Sequence, residues 1–187
     1  MQRAQKAEEN RGKIANMLSI EEQPAEVADR SVPGHWEGDL ILGKYKRSAL
    51  GTLVERTTRY TILVPLGNQK DPLNVREAYA EAFKTVPNEL RKSLTYDQGK
   101  VMSQHEKFTI DTGIQVYFAH PGSPWERGNN ENTNGLIRQY FPKGTDFTQV
   151  SEDEIFEVQR KLNDRPRKAL NFYKPNEAFN NVVALKI

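Results

Sequence analysis

The chain has 187 residues, 36% hydrophobic and 28% charged, with 27 Lys and Arg against 25 Asp and Glu, for a net charge of +2. That length builds one hydrophobic core, and so small a net charge leaves a nucleic-acid partner to be met by local basic patches rather than by a global field. The absence of Cys excludes disulfides and thiolate metal sites, His35, His105 and His120 are too scattered for a zinc knuckle, and neither a membrane-spanning apolar run nor the h-region of a signal peptide is present.

Residues 1–32 read as an N-terminal arm or linker. Arg3, Lys6, Arg11 and Lys13 mix with Glu8, Glu9, Glu21, Glu22 and Glu26, Pro24 interrupts any long helix, and only Ile14, Met17, Leu18 and Ile20 offer apolar contact. Residues 33–179 are expected to form the core domain and residues 180–187 a C-terminal tail. His35 to Gly43 predicts a first strand, with Trp36, Gly38, Leu40 and Leu42 on one face and Glu37, Asp39 and Ile41 on the other. Strands over 50–56 and 60–66 follow at short intervals, so the first three form an antiparallel meander. Asp71-Pro72 opens a helix with Pro at its first position, and Pro87 closes it.

Ser93 to Asp97 predicts a fourth strand, Ser103 to Asp111 a helix stopped by Gly113, and Ile114 to Ala119 a fifth strand. A Pro/Gly-rich loop, His120 to Arg127, leads into a helix opening at Gly128 and stopped by Pro142. Its apolar side is Leu136, Ile137, Tyr140 and Phe141; its polar side carries Glu131, Asn134 and Arg138. A last helix starts at Ser151 with Glu154 three residues on, a capping box. Strands in a run, followed by strand–helix alternation, predict an α/β fold: one mixed five-stranded sheet with helices on its faces.

Three acids stand out by position. If the first and fourth strands are neighbours, Asp39 and Asp97 point to one face near a strand's carboxyl end, where open α/β sheets place ligands. A helix crossing that edge brings in Glu131. Three carboxylates that close repel unless a cation compensates, and oxygen-only donors select Mg2+ or Mn2+. Two such ions suit in-line phosphodiester chemistry.

The runs Trp36-Glu-Gly-Asp39, Thr95-Tyr-Asp97-Gln-Gly-Lys100 and Ser123-Pro-Trp-Glu-Arg-Gly-Asn-Asn-Glu131 through Gly144 resemble the catalytic core of insertion-sequence transposases of the IS-thirty type. Leu162 to Lys168 and Lys174 to Phe179 resemble that family's C-terminal end, so the resemblance covers roughly residues 14–179. It implies a ribonuclease-H-like, retroviral-integrase-like fold and a metal-binding Asp-Asp-Glu triad at Asp39, Asp97 and Glu131, the last two separated by 33 residues. It also implies a DNA-cleaving, strand-transferring enzyme with two Mg2+ or Mn2+ ions. Its partners would be mobile-element ends, target DNA and a homo-oligomer or full-length transposase, without a membrane, in the bacterial cytoplasm on the nucleoid. Val101 departs from the family, which usually has an acid there. Full-length members carry an N-terminal helix-turn-helix that recognises the element's ends; nothing before residue 33 reads as one, so the chain is expected to be an isolated catalytic domain or a truncated product.

Glu37 shares Asp39's strand face and competes with it as a ligand. Lys100, Arg127, Arg138 and Lys143 are candidate phosphate contacts; Asn130 and Asn134 are expected to orient Glu131 or to bond DNA. Trp125 either stacks on a base or plugs the core's edge. His105 is expected in the core or as a cap, Glu106 and Glu126 at the surface, and Arg165, Arg167 and Lys168 as a second basic patch. Two other functions stay open: a catalytically silent oligomerisation or regulatory fragment, and a ribonuclease-H-type nuclease.

Overall fold

The computed structural model describes residues 14–186; the charged residues 1–13 of the arm lie outside the described residues. The centre of the fold is strand β2 (His35–Leu42), whose two faces serve two cores. Trp36 and Leu40 belong to one apolar cluster and Ile41 to a second, as the alternation in sequence requires. Strands β3 (Ala49–Glu55) and β4 (Thr61–Gly67) continue antiparallel from it. On its other side β5 (Ser93–Tyr96) and then β6 (Gln115–Phe118) run parallel.

The sheet has six strands rather than the expected five: with β1 (Leu18–Ser19) at one edge, the order is β1-β6-β5-β2-β3-β4. This extra edge strand comes from the segment expected to be a loosely packed arm. It escaped the sequence because two residues carry no alternation. The segment is also tied down by α1 (Ala25–Asp29), which buries Val27, and by Gln23, which donates to the Thr95 hydroxyl at 2.6 Å.

One sheet face is covered by α2 (Pro72–Phe83), α3 (His105–Thr112) and α6 (Pro175–Lys186), around Trp36, Tyr79, Phe83, Phe108 and Phe179. The other is covered by α4 (Gly128–Ile137) and α5 (Glu152–Asn163), around Ile41, Leu50, Ile137, Phe141 and Leu162. Asp71 caps α2 by accepting from the N–H groups of Leu73 and Asn74, and Ser151 with Glu154 forms the capping box of α5. Helix α4 ends at Ile137, before Pro142, and the chain turns through Phe141; Tyr140, expected on the apolar side, is exposed.

Gly38 is required by close packing. A Cβ there would stand 2.8 Å from the Tyr96 ring, so the position between Glu37 and Asp39 accepts no side chain. Among the described residues, no helix is long and apolar enough to cross a membrane.

Candidate active site

Parallel pairing sets the site. Glu37 lies opposite Thr95 in the β2–β5 register, so two residues on, Asp39 and Asp97 emerge on the same face at the sheet's edge. The Asp39 backbone is held by the Tyr79 hydroxyl, which donates to its carbonyl at 2.7 Å from the opposite face. The Asp39 carboxylate accepts from the Leu40 N–H at 2.9 Å and from Asn134 Nδ2 at 2.8 Å. Asp97 lies just past the end of β5 and accepts from the Gly99 N–H at 2.9 Å.

Arg127 stands between the two acids. Its Nη1 lies 3.6 Å from Asp39 Oδ1 and its Nη2 3.9 Å from Asp97 Oδ2, while Nη1 also donates to the Gly38 carbonyl at 3.3 Å. Burial pushes the Asp39 carboxyl above the usual carboxylate range. Arg127 and the Leu40 N–H pull it back, and the negative charge of Asp97 raises it further. Two carboxylates that share one guanidinium are short of positive charge.

Glu131 lies on α4 and is exposed. It lines a cleft of about 210 Å³ with Asp39, Arg127, Asn130 and Asn134, and Arg127 and Pro124 also line the adjoining cleft, about 360 Å³, that holds Asp97 and His120. Among the described residues, no three acid or histidine side chains come close enough to form a metal cluster. The structure therefore brings Asp39 and Asp97 together and sets Glu131 beside Asp39, with the threefold constellation open.

The other candidates divide. Arg127, Asn130 and Asn134 line the acid cleft; Lys100, Trp125, Arg138 and Lys143 do not. Asn130 bonds the sheet rather than Glu131: it is 1% exposed, donates its N–H to Glu37 Oε2 at 3.0 Å and accepts from the Thr52 hydroxyl at 3.3 Å. Arg138 closes the end of α4 by donating to the Leu42 carbonyl at 2.9 Å and to those of Phe141 and Pro142. Trp125 is 71% exposed and plugs no core. His105 is a core residue, bonded to the Ala15 carbonyl at 2.9 Å and packed edge-on against Phe118. Glu126 is not free at the surface but accepts from both the N–H and the ring of His120, each at 2.7 Å. Val101 packs on the main apolar cluster, which accounts for an apolar residue at that position.

Glu37 is fully buried, 3.1 Å from Arg56 Nη1 in an ion pair not aligned as a hydrogen bond. Burial pushes its carboxyl up, and Arg56 and the Asn130 N–H oppose that. Its side chain thus ties α4 to the sheet, a role the strand pattern gave no sign of, since alternation reports the face and not what covers it.

The chain belongs to the integrase core domain family, whose model matches residues 29–124. It is 49% identical over 172 residues to the transposase InsI of insertion sequence element IS30A from Escherichia coli K12, a match covering 92% of this chain and 44% of the relative. It is 45% identical over 176 residues to the transposase of IS1086 from Cupriavidus metallidurans, covering 94% and 52%. The chain spans about half the length of these curated relatives. Among solved structures, the catalytic core domain of BIV integrase superposes with a TM-score of 0.63 at 16% identity, over 83% of this chain and 99% of that one. A chain of a simian T-cell lymphotropic virus intasome superposes with 0.57 at 16% identity, over 71% and 49%. At that identity the likeness is one of fold.

Proposed function

We propose that this chain is the catalytic core of a bacterial DNA transposase, a polynucleotidyl transferase that cleaves mobile-element ends and joins them to target DNA. The observation that carries the reading is the convergence of the Asp39 and Asp97 carboxylates on Arg127 at the edge of two parallel strands. Their donor set fits Mg2+ or Mn2+: carboxylate oxygens alone, with one carboxyl raised by burial and by its neighbour's charge. Asp39 and Asp97 would hold the ions, two by the chemistry of the reaction, with Glu131 as the third ligand. When bound, they supply Lewis-acid activation of the attacking oxygen and charge neutralisation at the leaving oxygen.

The chain's own residues do the rest. Asn134 orients Asp39, and the Gly99 N–H fixes Asp97. Arg127 stands between the acids and would hold a phosphate of the substrate beside them. Asn130 anchors α4 so that a short shift of its first turn carries Glu131 toward Asp39. Lys100, Arg138 and Lys143 hold phosphates farther along the strand, and exposed Trp125 stacks on an unpaired base. The partners are DNA and further copies of the transposase, and the place of action is the cytoplasm, on the nucleoid.

Asp97→Ala tests the reading. In a protein that also carries the DNA-recognition region, Mg2+- or Mn2+-dependent nicking and strand transfer are expected to fall at least about a hundredfold, since even a group that only supports a metal ligand costs 10–100-fold. Retained activity overturns the assignment. The open triad favours a second reading, that this domain alone is silent and acts by joining full-length transposase. Light scattering checks it: no self-association and no mixed complex exclude it.

A further inference from the structure

Helix α4 has a second cleft on its other side. Gly128, Asn129, Asn132 and Thr133 face away from Asp39, and opposite them stand Arg30, Arg59 and Arg167, enclosing about 310 Å³. Three guanidinium groups in one cleft repel unless something negative separates them. Among the described residues, none of the three is paired with a carboxylate. The acids nearby are engaged: Glu37 with Arg56, and Glu55, fully buried, with the N–H groups of Gly34, Thr57 and Thr58. With Arg56 counted, four guanidinium groups face two carboxylates.

The strain of this arrangement is visible in the groups themselves. Burial and then Arg30 lower the proton affinity of Arg59, Glu37 and Glu55 oppose that and Arg56 adds to it, with the balance downward; Arg167 is lowered by burial and then by Arg165 and Arg59. The Nε of Arg167 is buried without a partner, although its Nη2 donates to the Leu162 carbonyl at 3.1 Å. Asn129, 1% exposed, holds the Arg56 carbonyl by donating to it at 3.1 Å. A buried guanidinium N–H without an acceptor, as at Arg167, indicates a missing anion.

We propose that the cleft formed by Arg30, Arg59 and Arg167 is a phosphodiester-binding subsite that grips a DNA strand on the far side of α4 from Asp39 and Asp97. It rests on the reading above that the chain acts on DNA. Guanidinium forks match phosphate oxygens in pairs, and neutralising their mutual repulsion is what a phosphate contributes there. A helix is about 10 Å across, which a strand crosses in about three nucleotides at roughly 3.4 Å each. One strand thereby reaches both clefts, and its hold on the arginine side bears on the helix that carries Glu131.

The test is fluorescence anisotropy of a labelled 20-base-pair duplex, without divalent metal, in the full chain carrying Asp97→Asn. Arg30→Gln with Arg59→Gln is expected to weaken binding about tenfold and to make the salt dependence shallower by about one for each phosphate no longer neutralised. Arg59→Lys, which keeps the charge, retains binding within about threefold; Lys107→Gln, on the exposed side of α3, leaves it unchanged. Thermal melts confirm that the variants fold, and Arg59→Gln alone, expected to weaken binding about threefold and to make the salt slope shallower by about one, carries the comparison if the double variant does not, unchanged binding again overturning the subsite. Unchanged affinity and salt slope in the double variant, with the parent binding normally, overturn the subsite alone. A parent that binds no duplex overturns the DNA reading with it. If tripolyphosphate binds the parent and not the double variant while duplex affinity stays equal, the cleft serves a free anion and the strand proposal fails.

Discussion

The two acids on the sheet and the acid on α4 are positioned by different physics. Asp39 and Asp97 are fixed by ladder register, a repeating set of backbone bonds that leaves little freedom once Glu37 pairs with Thr95. Glu131 rides on a helix joined to its surroundings by a few polar contacts: Asn129 to the Arg56 carbonyl, Asn130 to Glu37 and Thr52, and Asn134 to Asp39. A register either holds or fails, whereas a helix tethered by single bonds shifts by small amounts. Under the proposed function, a site assembled from both would keep two ligands permanent and make the third conditional on what binds.

The largest break in that contrast is expected at the tether. Glu37→Ala leaves Arg56 buried and unpaired and removes the acceptor of the Asn130 N–H. Losing one partner of a buried pair costs about 3–5 kcal/mol, measured by urea denaturation. A loss under about 1 kcal/mol shows that the pair does not anchor α4. Asn134→Ala comes next. It removes the 2.8 Å bond to Asp39 while leaving Glu37 in place, so activity is expected to fall about 10–100-fold with stability changed by only about 1 kcal/mol. An unchanged metal dependence of the residual activity counts against an orienting role.

A smaller effect separates function from stability at Asp39 itself. Because burial raises its carboxyl in the folded state, the folded protein binds that proton more tightly than the unfolded chain does. Metal-free stability therefore falls as pH rises from the unfolded value to the raised folded one, and the ionised group is a cost at neutral pH. Asp39→Asn is expected to melt slightly higher than the parent at pH 7 without metal, and the gap is expected to close at low pH. A lower melting temperature at pH 7 shows that the contacts with Arg127 and Asn134 outweigh the burial.

How much of this was legible in the sequence follows the same division. The strand faces were readable because alternation over Trp36 to Leu42 is long enough to set a period, and with it came the shared face of Asp39 and Asp97. The edge strand at Leu18 was unreadable because two residues have no period, and its pairing with Tyr117 and Phe118 is a long-range event. Arg127 was legible as a cation but not as the group between the acids, since that depends on how a Pro/Gly-rich loop folds back. Glu37 and Asp39 look equivalent in sequence, two residues apart on one face. Only the packing of α4 makes one a buried anchor and the other a cleft group. Arg30 and Arg59 drew no notice because they sit in turns, far from Arg167 along the chain.

The loop that feeds α4 supplies the mildest test of how conditional Glu131 is. His120 faces two carboxylates, with Nδ1 2.7 Å from Glu126 Oε1 and Nε2 3.3 Å from Glu21 Oε1. Both nitrogens therefore act as donors in the charged ring. The hydrogen bond and charge of Glu126, and then Glu21, raise its affinity for a proton above the ordinary 6.5. Burial works to raise Glu126, but the side-chain and backbone bonds from His120 bring it below its usual range. A raised histidine contributes stability that is complete below the unfolded value and is lost as pH rises through the folded one. The loop from His120 to Arg127 is thus expected to loosen as pH rises from the ordinary imidazole value through the raised folded one, and, being exposed, to respond less at high salt. Hydrogen exchange of the 120–128 amides, corrected for the intrinsic pH dependence, measures it against His120→Gln. If parent and variant loosen identically across that window, the imidazolium does not hold the loop, and the freedom of α4 is set by Glu37 and Asn134 alone.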